Sequence, residues 1–200
     1  MDKLILPLVE FYVNLRNLRT MGTNSKYETR EVVRARIIES TLQLLLDKSP
    51  ADLTLRQIAQ HAKCHHPDIA MYFGGKLGLY KELLPFVAEI IATRGLPPTF
   101  EKPSIELVRL VRLTAWLDEQ NPDYFKNASE RVIRDALTNI YVQRFNLPID
   151  VAQLLGQRLM ALVFTAVLHP GSIGLQEQQF SEHFALEIKI AQLLARNVPI

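Results

Sequence analysis

The chain has 200 residues, 48% of them hydrophobic and 22% charged, a balance of ordinary globular proteins that excludes a disordered or fibrous chain. Its net charge of +2 is too small to announce a nucleic-acid partner, and its single cysteine, Cys64, excludes an internal disulfide and fits a reducing cytoplasm. The charge tilts along the chain: residues 26–94 hold ten Lys/Arg against eight Asp/Glu, and residues 95–200 hold ten against eleven, which leans the front half toward a DNA-facing role.

Residues 1–28 read as an N-terminal extension. The stretch MDKLILPLVEFYVNLRNLRT is apolar, but Pro7, Glu10 and Asn14 interrupt it and no small-residue cleavage site follows, so no signal peptide is expected. Met21 is a second candidate start. From there strand signals are almost absent and helical periodicity runs throughout. Val33, Ile37, Ile38, Leu42 and Leu45 form a stripe that predicts a helix over 30–47. Leu55, Ile58, Ala59 and Ala62 share one face of a helix over 55–62 with Thr54 as its cap. A short helix over 66–73 carries Pro67 and Asp68 in its first turn, where a missing N–H is harmless and a negative charge suits the dipole. A fourth helix runs from Lys76 to Arg94 with Leu79, Leu83, Phe86, Val87 and Ile90 inward. Pro85 lies inside it and predicts a kink.

The run GLPPTFEKP (95–103) is the strongest break in the chain, so the domain boundary is placed after residue 94. Ser104 caps a helix over 105–118 with Leu107, Leu110, Val111, Thr114 and Leu117 on one face. Asn121-Pro122-Asp123 is a turn. Asn127 opens the next helix, with Glu130 three residues on and Val132, Ile133, Ala136, Leu137 and Ile140 inward. Asp150 and Gln153 repeat that cap pattern before a helix over 151–168. A loop follows at 169–174, and a last helix covers 177–196. The expectation is an all-α chain of about nine helices. The apolar run 159–168 is about half the length that spans a bilayer, so no membrane segment is read.

The helices over 55–62 and 66–73, joined by Lys63-Cys64-His65, have the spacing of a helix-turn-helix, which any helical hairpin shares. The wider run is more specific. TLRQIAQHAKCHHPDIAMYFGGKLGLY (54–80) resembles the DNA-binding domain of the tetracycline-repressor (TetR) family. Thr54, Ile58, Ala59, Ala62, Tyr72, Phe73, Lys76 and Leu79 fall on that family's pattern. The resemblance covers about residues 29–84. It implies an N-terminal three-helix DNA-binding domain with its connecting helix (29–94) and a helical ligand-binding and dimerisation domain (95–200). Ile58, Ala59, Ala62, Cys64, Ile69 and Phe73 would pack the three-helix core. Thr54 and Arg56 would reach phosphates, while His65, His66, Pro67 and Asp68 would head the recognition helix. Tyr72 and Lys76 would hold the DNA backbone. Four positions depart from the pattern. Lys63 stands where the family favours Gly, at a cost of roughly 1–2 kcal/mol if its backbone is left-handed. Cys64 replaces a buried Val, His65 a Ser cap, and Ala70 a Tyr.

Other constellations carry less. His61, Cys64, His65 and His66 match no zinc spacing, so no metal or cofactor is expected. GGKLG (74–78) lacks the Ser/Thr and upstream Gly of a phosphate loop and reads as a helix start. No catalytic arrangement is suggested, so the chain is not read as an enzyme. Trp116, Phe125, Met160, Phe164 and His169 are candidates for a ligand cavity against the plain alternative of a helical core. Arg109, Arg112, Arg131 and Arg134 read as solvated; one turned inward would favour an anionic ligand. The run 159–168 is apolar nearly all round and predicts a homodimer through 151–168 and 177–196. The expected function is a cytoplasmic, sequence-specific DNA-binding transcriptional regulator. It would be a repressor on a palindromic double-stranded operator, released by an unidentified small molecule. The alternative is a helical interaction or ligand-binding protein of the same fold that has lost operator binding.

Overall fold

The structure is a computed structural model that describes residues 29–94, 102–126 and 132–196. The extension 1–28, the break at 95–101 and the cap at Asn127 with Glu130 lie outside the described residues, as do the side chains of Ile90 and Val132. Among the described residues the protein is all-α, as the periodicity requires. Its helices are α1 (Arg30–Leu44), α2 (Leu55–Ala62), α3 (His66–Phe73), α4 (Lys76–Arg94), α5 (Ile105–Gln120), α6 (Val132–Phe145), α7 (Ile149–Leu168) and α8 (Glu177–Arg196). Short 3-10 turns cover Tyr124–Lys126 and Pro170–Ile173, so part of the expected loop at 169–174 is helical. The chain divides into two compact units between Phe86 and Val87, inside α4.

In the first unit α1 packs on α2, and α2 on α3. Ile37, Ile58, Ala62, Ile69, Leu79 and Leu83 are wholly buried, so one apolar stripe from each helix feeds the core. Tyr80 and Leu84 are buried beside the expected inward residues of α4. Helix α1 stops at Leu44, three residues short of the sequence expectation. The amides of Leu46 and Asp47 turn to the carbonyls of Gln43 and Leu44 at 3.1 and 3.3 Å, the tightened last turn that often ends a helix. Across Pro85, α4 remains helical.

In the second unit α6 lies along α7, which also meets α5 and α8. Val111, Tyr141, Leu155, Leu159, Phe180 and Phe184 sit at the centre of the core. Pro148, not Asp150, is the N-cap of α7; Asp150 lies in the first turn, where its charge still suits the dipole. The 20 residues of α7 reach about 30 Å at 1.5 Å per residue. The helix is long and apolar enough to cross a membrane by composition. In the structure it turns Ala152, Leu155, Gly156, Leu159 and Val163 into the core.

Candidate nucleic-acid interface and helical cavity

The helix-turn-helix is built by local hydrogen bonds. Thr54 has an extended backbone, and its hydroxyl accepts from the Gln57 amide at 3.3 Å. The Gln57 side chain accepts from the Thr54 amide at 3.0 Å. Two orphan donors at the start of α2, the Thr54 and Gln57 amides, are thereby satisfied. At its other end Lys63 is left-handed, with φ 51° and ψ 45°. The Cys64 amide then reaches the Ala59 carbonyl at 3.0 Å, the closure that a left-handed residue after a helix permits. Lys63 therefore takes the left-handed conformation that glycine adopts most readily, with a Cβ that Gly lacks.

His65 precedes α3 with extended backbone. The Asp68 carboxylate accepts from the His65 amide at 2.9 Å, holding the chain's entry into the helix from three residues on. The C-cap of α3 is Gly74, left-handed at φ 71°. Gly78 is required by a close approach: a Cβ there would lie 1.7 Å from the carbonyl oxygen of Phe73. The first turn of α4 therefore rests directly on the last turn of α3.

Ile69 and Phe73 point into the core, whereas His65, His66, Pro67, Ala70 and Met71 are exposed. Arg56 and Thr54 are exposed on α2, and Asp68 and Tyr72 are half-buried. Cys64 is half-buried, not a core residue. Its thiol is pushed up by burial and by the Asp68 charge, against a smaller opposite effect of Arg36. That shift disfavours the thiolate, the reactive form.

Three α1 arginines join this surface, and the sequence reading gave them no role. The Arg30 guanidinium lies 5.4 Å from the Tyr72 ring centroid. Arg34 donates to the Tyr72 carbonyl and pairs with Glu82, and lies 4.5 Å from the Phe73 ring centroid. A cation thus meets a terminal carbonyl of α3, where the dipole is negative. Arg36 donates to the Lys63 carbonyl at 3.4 Å. Lys76 behaves differently from a free phosphate contact. Its ammonium donates to the Ala51 carbonyl at 3.0 Å and sits 5.6 Å from the Tyr80 ring centroid. Burial lowers its pKa, partly offset by Asp52. The Tyr80 hydroxyl donates to the Pro50 carbonyl at 3.2 Å, so both side chains fasten the loop between α1 and α2 to α4.

The second unit holds a cavity of about 610 Å³, within the range that accommodates small ligands. Phe125, Met160 and Phe164 line it with Ile133, Leu168, Thr114, Ala115 and Gln157; Trp116 and His169 are not in its wall. Asp118, Glu119 and Arg134 complete the lining. Arg134 does face inward, but its guanidinium is paired with Asp135 at 2.7 Å. Its charge is already answered, and two further carboxylates share the wall, so this cavity gives no net pull on an anion.

No protein-family model matches the sequence, and no curated protein does. Among solved structures, the chain is similar to the TetR family repressor AlkX from Dietzia sp. strain DQ12-45-1b, implicated in biodegradation of n-alkanes. That alignment has 17% identity and a TM-score of 0.49, covering 88% of this chain and 98% of that one. It is also similar to a TetR-family transcriptional regulator from Streptomyces coelicolor, with 19% identity and a TM-score of 0.49, covering 82% and 89% of the two chains.

Proposed function

We propose that the protein is a sequence-specific DNA-binding transcriptional regulator whose α2–α3 pair enters the major groove. The observation that carries this reading is the pair itself. A capped helix and a left-handed turn lead into a second helix, whose inner face is buried and whose outer face is exposed, with Arg30 beside its Tyr72 and Arg36 with Lys63 at the turn before it. That is the geometry by which a recognition helix reaches base edges while its neighbours hold phosphates. Thr54, Arg56 and Tyr72 take the backbone roles, with Arg30 beside Tyr72. His65, His66 and Pro67 head the reading helix. The resemblance of residues 54–80 to the TetR pattern supports the same assignment.

The rest of the reading follows from the second unit. The cavity lined by Phe125, Met160 and Phe164 takes a small molecule, and the regulator is a repressor that the ligand releases. The ligand must bind the non-DNA-binding arrangement more tightly, since equal affinity for both shifts nothing. Helices α7 and α8 expose Ile149, Leu154, Leu186, Leu193 and Leu194, the first two by 66% and 64%. A second copy covering them forms a two-fold dimer, which matches a palindromic operator. Such a protein works in the cytoplasm.

The rival is an interaction protein of the same fold without an operator; the commitment of Lys76 to Ala51 favours it. One experiment separates the two. Full-length protein is offered a pool of random duplexes at low salt, and bound DNA is recovered and sequenced. Enrichment of a symmetric site, with affinity falling steeply as salt rises, is the expected result. Recovery of no duplex overturns the DNA-binding reading.

A further inference from the structure

The outer face of α3 is unusual for a helix that reads DNA. Each residue of a helix turns by about 100°. Met71 lies two residues after Ile69 and two before Phe73, so it points directly away from the core those two enter. It is 64% exposed. Pro67 and Ala70, one turn and one residue before it, are exposed with it. The exposed positions of α3 carry no Arg, Lys, Asn or Gln, the side chains that form bidentate hydrogen bonds with guanine or adenine. Asp68, which would accept from cytosine, has its carboxylate on the His65 amide at 2.9 Å. Hydrogen-bond readout is left to His65 and His66 at the helix start.

An exposed apolar strip needs an apolar occupant. In the major groove the apolar group is the thymine 5-methyl, which Ala, the Thr methyl and similar groups contact. Charge says which occupant fits. Arg30 stands beside Tyr72 near the end of α3, while Lys63 and Arg36 meet at the turn before it. Residues 29–86 hold eight Lys/Arg against six Asp/Glu. An apolar strip between cations matches a methyl-lined groove between two phosphate backbones.

We infer that Met71, with Ala70 and Pro67 beside it, selects thymine through its 5-methyl group, making this strip the main determinant of sequence preference. The inference rests on the DNA-binding reading above. Its test changes only the methyl. A duplex recovered from the random pool is remade with uracil in place of single thymines, which keeps every hydrogen-bonding group and removes one methyl. At one or two positions per half-site, affinity should fall about fourfold, the worth of one buried methylene-sized group. Met71→Ala should bind the thymine duplex more weakly and discriminate thymine from uracil less. Its far-UV circular dichroism should be that of the wild type, because the side chain is exposed. If uracil duplexes bind as tightly as thymine duplexes, the inference fails while DNA binding stands. If no duplex is retained at low salt, both fail, and the strip is a protein-docking face.

Discussion

Replacing Lys63 by glycine should stabilise the protein, and the size of the gain follows from one backbone angle. Lys63 sits at φ 51°, ψ 45°, where a Cβ crowds the following carbonyl at a cost of about 1–2 kcal/mol. Glycine removes that cost but gives the unfolded chain more freedom, worth roughly 0.5–1 kcal/mol against it. Taking the middle of both ranges, the net gain is about 0.75 kcal/mol, or roughly 1.5–3 °C in Tm for a chain of this size. The Arg36 bond to the Lys63 carbonyl is a backbone contact and survives the change. Lys63→Ala is the control, because it removes the ammonium and keeps the Cβ. Urea unfolding followed by circular dichroism would compare the three proteins, with m required to stay constant. Glycine should raise the midpoint and alanine should not. Equal midpoints for the two variants would refute the argument, since the strain would then not reside in the Cβ.

Gly78→Ala should cost about 3 kcal/mol or more, at the upper end of overpacking, because its Cβ meets the backbone carbonyl of Phe73 at 1.7 Å; the same unfolding assay reads it, and an unchanged midpoint would contradict that approach. The Tyr141 hydroxyl is buried without a protein hydrogen-bond partner. Its pKa is pushed up to about 12 by burial first and the Glu187 charge second, against Arg158. A raised folded pKa adds stability below the ordinary value near 10 and loses it as pH climbs from about 10 to about 12. Because its buried hydroxyl has no protein partner, Tyr141→Phe should gain about 1 kcal/mol at neutral pH. Its stability relative to wild type should rise further between pH 10 and 12, and parallel pH profiles would count against the assignment. Ala161→Glu adds a charge at an exposed position of α7. It should leave the fold intact and turn a dimer into a monomer in sedimentation at micromolar concentration, whereas a monomeric wild type would remove the dimer reading.

The sequence was most informative where structure is local. Thr54 with Gln57 and Ser104 with the Leu107 amide are caps formed over three residues, so spacing alone reveals them. Periodicity found the buried face of α2 for the same reason. It was less reliable at ends that depend on turn geometry, such as Leu44 for α1 and Pro148 for α7. It was silent on contacts far apart in the chain. Arg34 reaches Tyr72 across 38 residues, and Lys76 reaches Ala51 across 25. Nothing local marks either partner. Apolar candidates for the cavity were legible in Phe125, Met160 and Phe164. Its polar wall was not, because whether the exposed Asp118 and Glu119 of α5 border the cavity depends on how α5 packs with α7.

The departures from the TetR pattern fall into two groups with different consequences. Where a departure touches the scaffold, another device holds the geometry. Lys63 accepts the left-handed turn at a strain cost. Asp68 anchors the His65 amide where a Ser cap would have held the helix start. Where a departure lies on the outer face, nothing compensates: Ala70 is exposed, and Met71 beside it is 64% exposed. Surface positions away from caps and cores change stability by no more than about 0.5 kcal/mol, so the fold places little constraint on them. The outer face of α3 is thus free to change its chemistry while Ile69, Phe73 and Gly78 keep the helix in place. A polar replacement such as Met71→Gln should accordingly leave the unfolding midpoint where it is and move only the DNA sequence recovered from a random pool. A midpoint that shifts with it would show that Met71 packs against the scaffold and does not belong to the reading face.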